Sequence, residues 1–232
     1  MIRVVDAMNK LGSDVRRIGR EEQPLVTIDD FAPDPDSLRA AAITTPFGAA
    51  GQHYPGIRAP LPASYWTDQR PVIAAALREA FGGRGEFEVI DASFSIVTRS
   101  PGALSLKQRL PHCDAFGRER IALLHYLSPE GGDGTAFFRH RSTGYETIDH
   151  TRAPAYFDRL NAELRDGGTP RAGYIASDTA LFERTALAEA RYNRALLYRS
   201  YVLHSGAIAP GALLSPDPAV GRLTVTAFLT IE

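Results

Sequence analysis

From residue 86 onward, apolar and polar positions follow the two-residue period of strands. EFEVIDASFSIVTR (86–99) alternates over much of its length, and IALLHYLS (121–128), TAFFRHR (135–141), RALLYRSYVLH (194–204) and RLTVTAFLTI (222–231) follow, separated by Gly- and Pro-rich turns. Before residue 86 the texture is different. LVTIDDF (25–31) predicts a short strand, and PDPDSLRAAAI predicts an Ala-rich helix ending near Pro46, with Asp34 and Asp36 as its caps. PVIAAALREAF (71–81) predicts a second helix, capped by Asp68, with Pro71 in its first turn and Gly82-Gly83 at its end. Between the two, residues 47–66 contain YPGIRAPLP and are expected to cross the surface as an extended loop of the kind that borders sites. APAYFDRLNAELRDGG (153–168) has helical spacing yet falls between strands, as an insertion would. ALFERTALAEARY (180–192) fits helix and strand equally.

This order of elements predicts a mainly β protein with flanking helices, an α+β arrangement. A chain of 232 residues with 44% hydrophobic and 23% charged residues has material for a sizeable core. One domain over 1–232 is expected, with an N-terminal strand and buttressing helices in 1–85 and a β core in 86–232 that carries a helical insertion near 145–190. No internal repeat or low-complexity tract divides it. A net charge of −1 and the lack of any long Lys/Arg run exclude a general attraction to nucleic acid or an anionic membrane. The N-terminal stretch is not apolar enough for a signal peptide, and no segment approaches the roughly 20 apolar residues needed to span a bilayer. A cytoplasmic location is expected, and the single cysteine, Cys113, fits a reducing compartment.

His112-Cys113-Asp114 lies in a segment expected to be extended, so the imidazole and the carboxylate project to one face and can share a metal. A two-histidine, one-carboxylate facial triad needs one more histidine from elsewhere and leaves three coordination positions open. His204, in the apolar strand ALLYRSYVLH, can supply it. An isolated His-x-Asp is a weak motif, and Arg222, opening the last strand, taken alone reads as a solvated end group more readily than as a bidentate carboxylate partner, until the histidine pair is considered with it.

Four segments in order resemble the iron(II)- and 2-oxoglutarate-dependent oxygenases, in particular their prolyl-4-hydroxylase-like branch: His112-Cys113-Asp114, LLHYLSPEGGDGTAFF, NRALLYRSYVLHSG and Arg222. The resemblance covers roughly residues 86–232. It implies a double-stranded β-helix, or jelly-roll, with His112, Asp114 and His204 as ligands of Fe(II). It also implies Arg222 with Thr224 as the clamp on 2-oxoglutarate, and Tyr126 as a hydrogen-bonding partner of that cosubstrate or a core aromatic. The activity implied is a dioxygenase consuming O2 and 2-oxoglutarate to hydroxylate a small molecule or an amino-acid or peptide side chain. A non-catalytic or sensing, cupin-like metal-binding jelly-roll is the alternative. The span between Asp114 and His204 exceeds that of compact family members because of the helical stretch.

Other candidates weigh less. Cys113 points away from the metal by alternation and reads as a buried filler. His125, His140 and His150 lack metal-ligand spacing. His53, Tyr54 and Arg58 in the Pro-rich loop either meet a carboxylate-bearing substrate or pack at the domain edge. GGDG (131–134) lacks the Lys-Ser/Thr of a phosphate loop and reads as a turn, and no Gly-x-Ser-x-Gly elbow supports Ser-His-Asp hydrolysis.

Overall fold

The computed structural model describes residues 13–51, 53–129, 134–167 and 169–232; residues 131–133 of the expected GGDG turn lie outside these. The strands are β1 (Ser13–Ile18), β2 (Gln23–Ile28), β3 (Gly48–Ala49), β4 (Gly56–Ala59), β5 (Phe87–Val97), β6 (Arg120–Tyr126), β7 (Gly134–His140), β8 (Phe182–Glu189), β9 (Arg194–Arg199), β10 (His204–Gly206) and β11 (Leu223–Ile231). The helices are α1 (Pro35–Thr44), α2 (Ser64–Ala80) and α3 (Ala153–Gly167). Eight strands form one antiparallel sheet, in the order β1-β2-β9-β6-β11-β5-β4-β3, and β10-β7-β8 form a second.

Alternation within the strands builds the layers. Leu123 of β6, Leu197 of β9 and Val225 of β11 pack on one face of the large sheet against Leu38 and Ala42 of α1 and Ile73 and Leu77 of α2. Their neighbours Ala122, Tyr126, Leu196 and Tyr198 face the other way and meet Phe137 of β7 and Ala188 of β8. The far side of the small sheet, with Ala136 and Phe138, packs against Tyr156 and Leu160 of α3. The helical insertion therefore covers the outside of the small sheet, and each central strand is buried on both faces. That is why ALLY and AFF read as continuous apolar runs.

Two expectations need correction, and one ambiguity is resolved. The segment 47–66 is not wholly a loop, because β3 and β4 extend the large sheet at its edge, Ala59 of β4 pairing with Phe94 of β5. Gly56 makes this approach possible, since a Cβ there would lie 1.9 Å from the Ile96 carbonyl oxygen. The second helix begins at Ser64, not at Pro71, so Asp68 lies inside it and caps nothing. Fully buried Tyr65 anchors the extra turn in the core, while Pro71 and Thr67, whose carbonyl loses its helical donor, face solvent that can replace the bond. Finally, β8 settles the ambiguity of 180–192 as strand, paired along β7. Asp34 is the N-cap of α1, its carboxylate accepting from the Ser37 N–H at 3.0 Å, and Asp36 sits in the first turn.

Candidate metal centre

His112 and His204 meet as an isolated antiparallel bridge in which each main-chain N–H donates to the other's carbonyl at 2.9 Å. Two residues on, the Asp114 N–H donates to the Ser200 carbonyl at 2.8 Å, which ties the carboxylate to the end of β9. The side chains converge accordingly. His112 Nε2 lies 3.7 Å from Asp114 Oδ1, and His204 Nε2 lies 3.5 Å from Asp114 Oδ2. One ligand atom from each of the three fits within 4.8 Å of the others. The N···O separations are too long for direct hydrogen bonds and leave room for an ion between the three side chains.

The second nitrogens fit the same role. His204 Nδ1 donates to the Val202 carbonyl at 2.9 Å, and the His112 imidazole hydrogen-bonds the Leu110 carbonyl, so each ring is oriented from two residues upstream. This arrangement fixes the tautomer that presents an Nε2 lone pair to a metal. His204 is buried, its ring 4.9 Å from that of Tyr198, whereas His112 stands at the rim with 53% of its side chain exposed. Protein packed around the inner side of His112, together with the His204 ring beside it, pushes its pKa down to about 4, which outweighs the opposing pull of Asp114. The His112 ring is then neutral near pH 7 and can offer a lone pair to a metal. Cys113 points into the cluster behind the small sheet, and burial with the Asp114 charge pushes its thiol up to about 12, which argues against a thiolate ligand.

Arg222 and Thr224 lie on the face of β11 that looks toward the small sheet. Arg222 Nη2 donates to the Gly134 carbonyl at 3.1 Å, and its guanidinium stands 5.8 Å from the Tyr126 ring. Strand register places Arg58, Ser95, Thr224 and Tyr126 in one transverse row across β4, β5, β11 and β6. The Thr224 hydroxyl donates to the Ser95 carbonyl at 3.2 Å, and the Tyr126 and Thr135 hydroxyls share a 2.7 Å bond between the two sheets. Tyr54 joins the row: its ring lies 4.8 Å under the Arg58 guanidinium, and its hydroxyl hydrogen-bonds Thr224 and Ser95 beside Arg222. Arg58 also pairs with Asp91 at 3.4 Å, and among the described residues its buried Nε finds no hydrogen-bond partner. His53 is exposed, and its carbonyl accepts from Gln108 Nε2 at 3.3 Å.

Residues 9–229 match the model of a protein family described as "Family of unknown function (DUF6445)". The chain belongs to this family. No match is found among curated proteins. Among solved structures, the DUF6445 chain is similar to the non-heme alpha ketoglutarate dependent carbocyclase SnoK from nogalamycin biosynthesis, with a TM-score of 0.47 and 14% identity, covering 91% of this chain and 81% of that one. It is also similar to an N-substituted L-amino acid dioxygenase from Burkholderia ambifaria AMMD, with a TM-score of 0.45, 12% identity and coverage of 95% and 94%. A third is the non-heme alpha ketoglutarate dependent epimerase SnoN from nogalamycin biosynthesis, at 0.43, 12%, 99% and 82%.

The remaining histidines of the DUF6445 chain have other partners. His125 is enclosed by Tyr65 and Asn193, His140 by Glu163 and Thr143, and His150 lies beside the Phe116 ring. Sequence reasoning missed Tyr198, whose phenol lies close to Asp114 and Tyr126. Its phase in RALLYR, placing it opposite Ala122 on the face that carries Tyr126, was the available signal. Among the described residues, no helix is long and apolar enough to cross a membrane.

Proposed function

We propose that this chain is an iron(II)- and 2-oxoglutarate-dependent dioxygenase built on a jelly-roll, hydroxylating a small molecule or an amino-acid or peptide side chain. One observation carries the reading: His112, Asp114 and His204 converge with both Nε2 atoms directed at one carboxylate, between facing antiparallel sheets. Two histidines and one carboxylate suit non-heme iron and leave three coordination positions for a chelating 2-oxo acid and oxygen. Iron bound there supplies the oxidising chemistry, with 2-oxoglutarate leaving as succinate and CO2.

The chain's own residues then have separate tasks. Asp114 and the two imidazoles hold the metal, and the main-chain bridge fixes their spacing. Arg222 offers a guanidinium to the far carboxylate of the cosubstrate, with Thr224 and Tyr126 beside it. The near-neutral charge of the chain, −1, favours a small molecule or peptide over a nucleic acid as partner.

Anaerobic titration with Fe(II) and then 2-oxoglutarate is expected to give a visible metal-to-ligand charge-transfer band, and oxygen is then expected to yield succinate without added substrate. A well-folded protein that gives no band rules out the reading. A band without succinate favours the non-catalytic, sensing alternative.

A further inference from the structure

The inner face of the large sheet carries a strip that runs away from the metal centre. Strand register places Tyr198 of β9, Ala122 of β6, Phe228 of β11 and Asp91 of β5 in one transverse row. At one end the Tyr198 ring packs 4.9 Å from the His204 ring. Along the middle, Ala122, Phe228 and nearby Leu124 face the small sheet, and Phe228 and Leu124 are only partly buried, so some of their apolar surface is open to a ligand. At the far end Asp91 Oδ2 meets Arg58 Nη1 at 3.4 Å. Three strand spacings, roughly 14 Å, separate the two ends. The ion pair is a single long contact, not the two short bonds of a bidentate pair, and the Asp91 side chain is 56% exposed. The guanidinium is nonetheless fixed, because the Tyr54 ring lies 4.8 Å under it and the Tyr54 hydroxyl is bonded to Thr224 and Ser95. Its Nε is buried and, among the described residues, without a hydrogen-bond partner. A guanidinium oriented by its stack, with hydrogen-bonding capacity unused and an exposed counter-ion that contributes little, is preorganised for an incoming carboxylate.

We propose that Arg58 anchors the substrate, taking a carboxylate in exchange for Asp91, and that the substrate is an amphipathic organic acid whose apolar body lies along Phe228 and Leu124 toward the metal. This rests on the oxygenase reading for the reaction at the metal end. Asp91 is the counter-ion that the substrate displaces, and Tyr54 is the positioning residue of the guanidinium. The strip between sets the length of acid that reaches from one end to the other.

The test uses the full chain saturated with Mn(II) and 2-oxoglutarate. Calorimetry compares hexanoate, octanoate and decanoate with their primary amides, which keep the apolar body and lose the charge. The acids are expected to bind at least about tenfold tighter than the amides, and Arg58→Gln is expected to erase that preference while leaving the amides unchanged. Asp91→Asn, at an exposed position, removes the competing counter-ion and is expected to tighten the acids several-fold, which loss of a merely structural ion pair does not do. Phe228→Ala is expected to weaken acids and amides alike. Wild-type protein that binds no acid, or does not distinguish acid from amide, overturns the proposal. So does a preference that survives Arg58→Gln, an acid affinity that Asp91→Asn leaves unmoved or lowers, or acids that bind only in place of 2-oxoglutarate. Failure of Mn(II) and 2-oxoglutarate to bind overturns the oxygenase reading instead, and the acid preference of the protein alone then still decides the role of Arg58.

Discussion

The main chains of His112 and His204 are bonded in both directions, N–H to carbonyl, at 2.9 Å. Strand pairing, not the metal, therefore brings together ligands that are distant in sequence, and the ordering cost is met during folding. The metal-free protein is expected to stay folded, with a saturating divalent ion adding about 2.7 kcal/mol at a hundredfold excess over Kd, or roughly 5–10 °C in melting temperature. His204→Ala is expected to erase that increment while keeping the cooperative melt. An undiminished Mn(II)-dependent shift in this variant, followed by differential scanning fluorimetry, removes His204 from the ligand set.

Arg222 and Thr224 act on the same face of β11 and are expected to differ in weight. Loss of a partly buried guanidinium from a carboxylate costs about 2–5 kcal/mol, so Arg222→Gln is expected to weaken 2-oxoglutarate by at least about thirtyfold. Thr224→Ala removes a hydroxyl that donates to the Ser95 carbonyl, worth about 1 kcal/mol, and is expected to cost only several-fold. Titration of the charge-transfer band measures both; equal effects contradict the division of roles.

Much of this was legible in the chain because the decisive patterns are local. Strands β6, β9 and β11 show in the apolar runs that burial on two faces demands, and extended spacing alone puts His112 and Asp114 on one side. The parts that stayed hidden depend on non-local pairing. β4 lies in a Pro-rich stretch and becomes a strand only because β5 offers it an edge. The first turn of α2 forms because Tyr65 finds a slot in the core, which no helix propensity records. Tyr54 reaches Thr224 and Ser95 from its own connection, so no spacing rule groups them.

Glu146 clasps the β1–β2 turn to the segment that leads toward His204. Its carboxylate accepts the Arg20 and Glu21 N–H groups at 3.0 Å each, and Glu21 answers by accepting the Glu146 N–H at 3.1 Å and Arg152 Nη1 at 2.7 Å. Glu146 is buried, and its carbonyl also takes the Leu203 N–H at 2.8 Å. Glu146→Ala leaves two donors without their acceptor at the cost of a few kcal/mol, on the order of 2–4. Gly19→Ala is expected to disturb the same clasp, because its φ is 67° and a Cβ would lie 2.0 Å from Glu146 Oε2. Urea denaturation gives the test, and a loss below about 0.5 kcal/mol in Glu146→Ala, the level of an ordinary surface change, refutes this assignment.

His125 makes stability depend on pH from outside the His112–Asp114–His204 cluster. Asn193 Oδ1 accepts from the Ala32 N–H at 2.8 Å and lies 3.1 Å from His125 Nε2, so that nitrogen carries the proton and Nδ1 faces the Tyr65 hydroxyl at 3.4 Å. Complete burial holds its pKa down to about 4 against the Asn193 bond, from an ordinary value of 6.5. A depressed folded-state value means that the unfolded chain binds the proton first. The stabilisation is then complete above pH 6.5 and is lost as the pH falls toward 4, by up to about 3 kcal/mol. His125→Gln is expected to lower stability at pH 7 and to flatten the slope between pH 6.5 and 4 relative to wild type. Parallel profiles for the two proteins, from urea titrations at stepped pH, exclude His125 as the source.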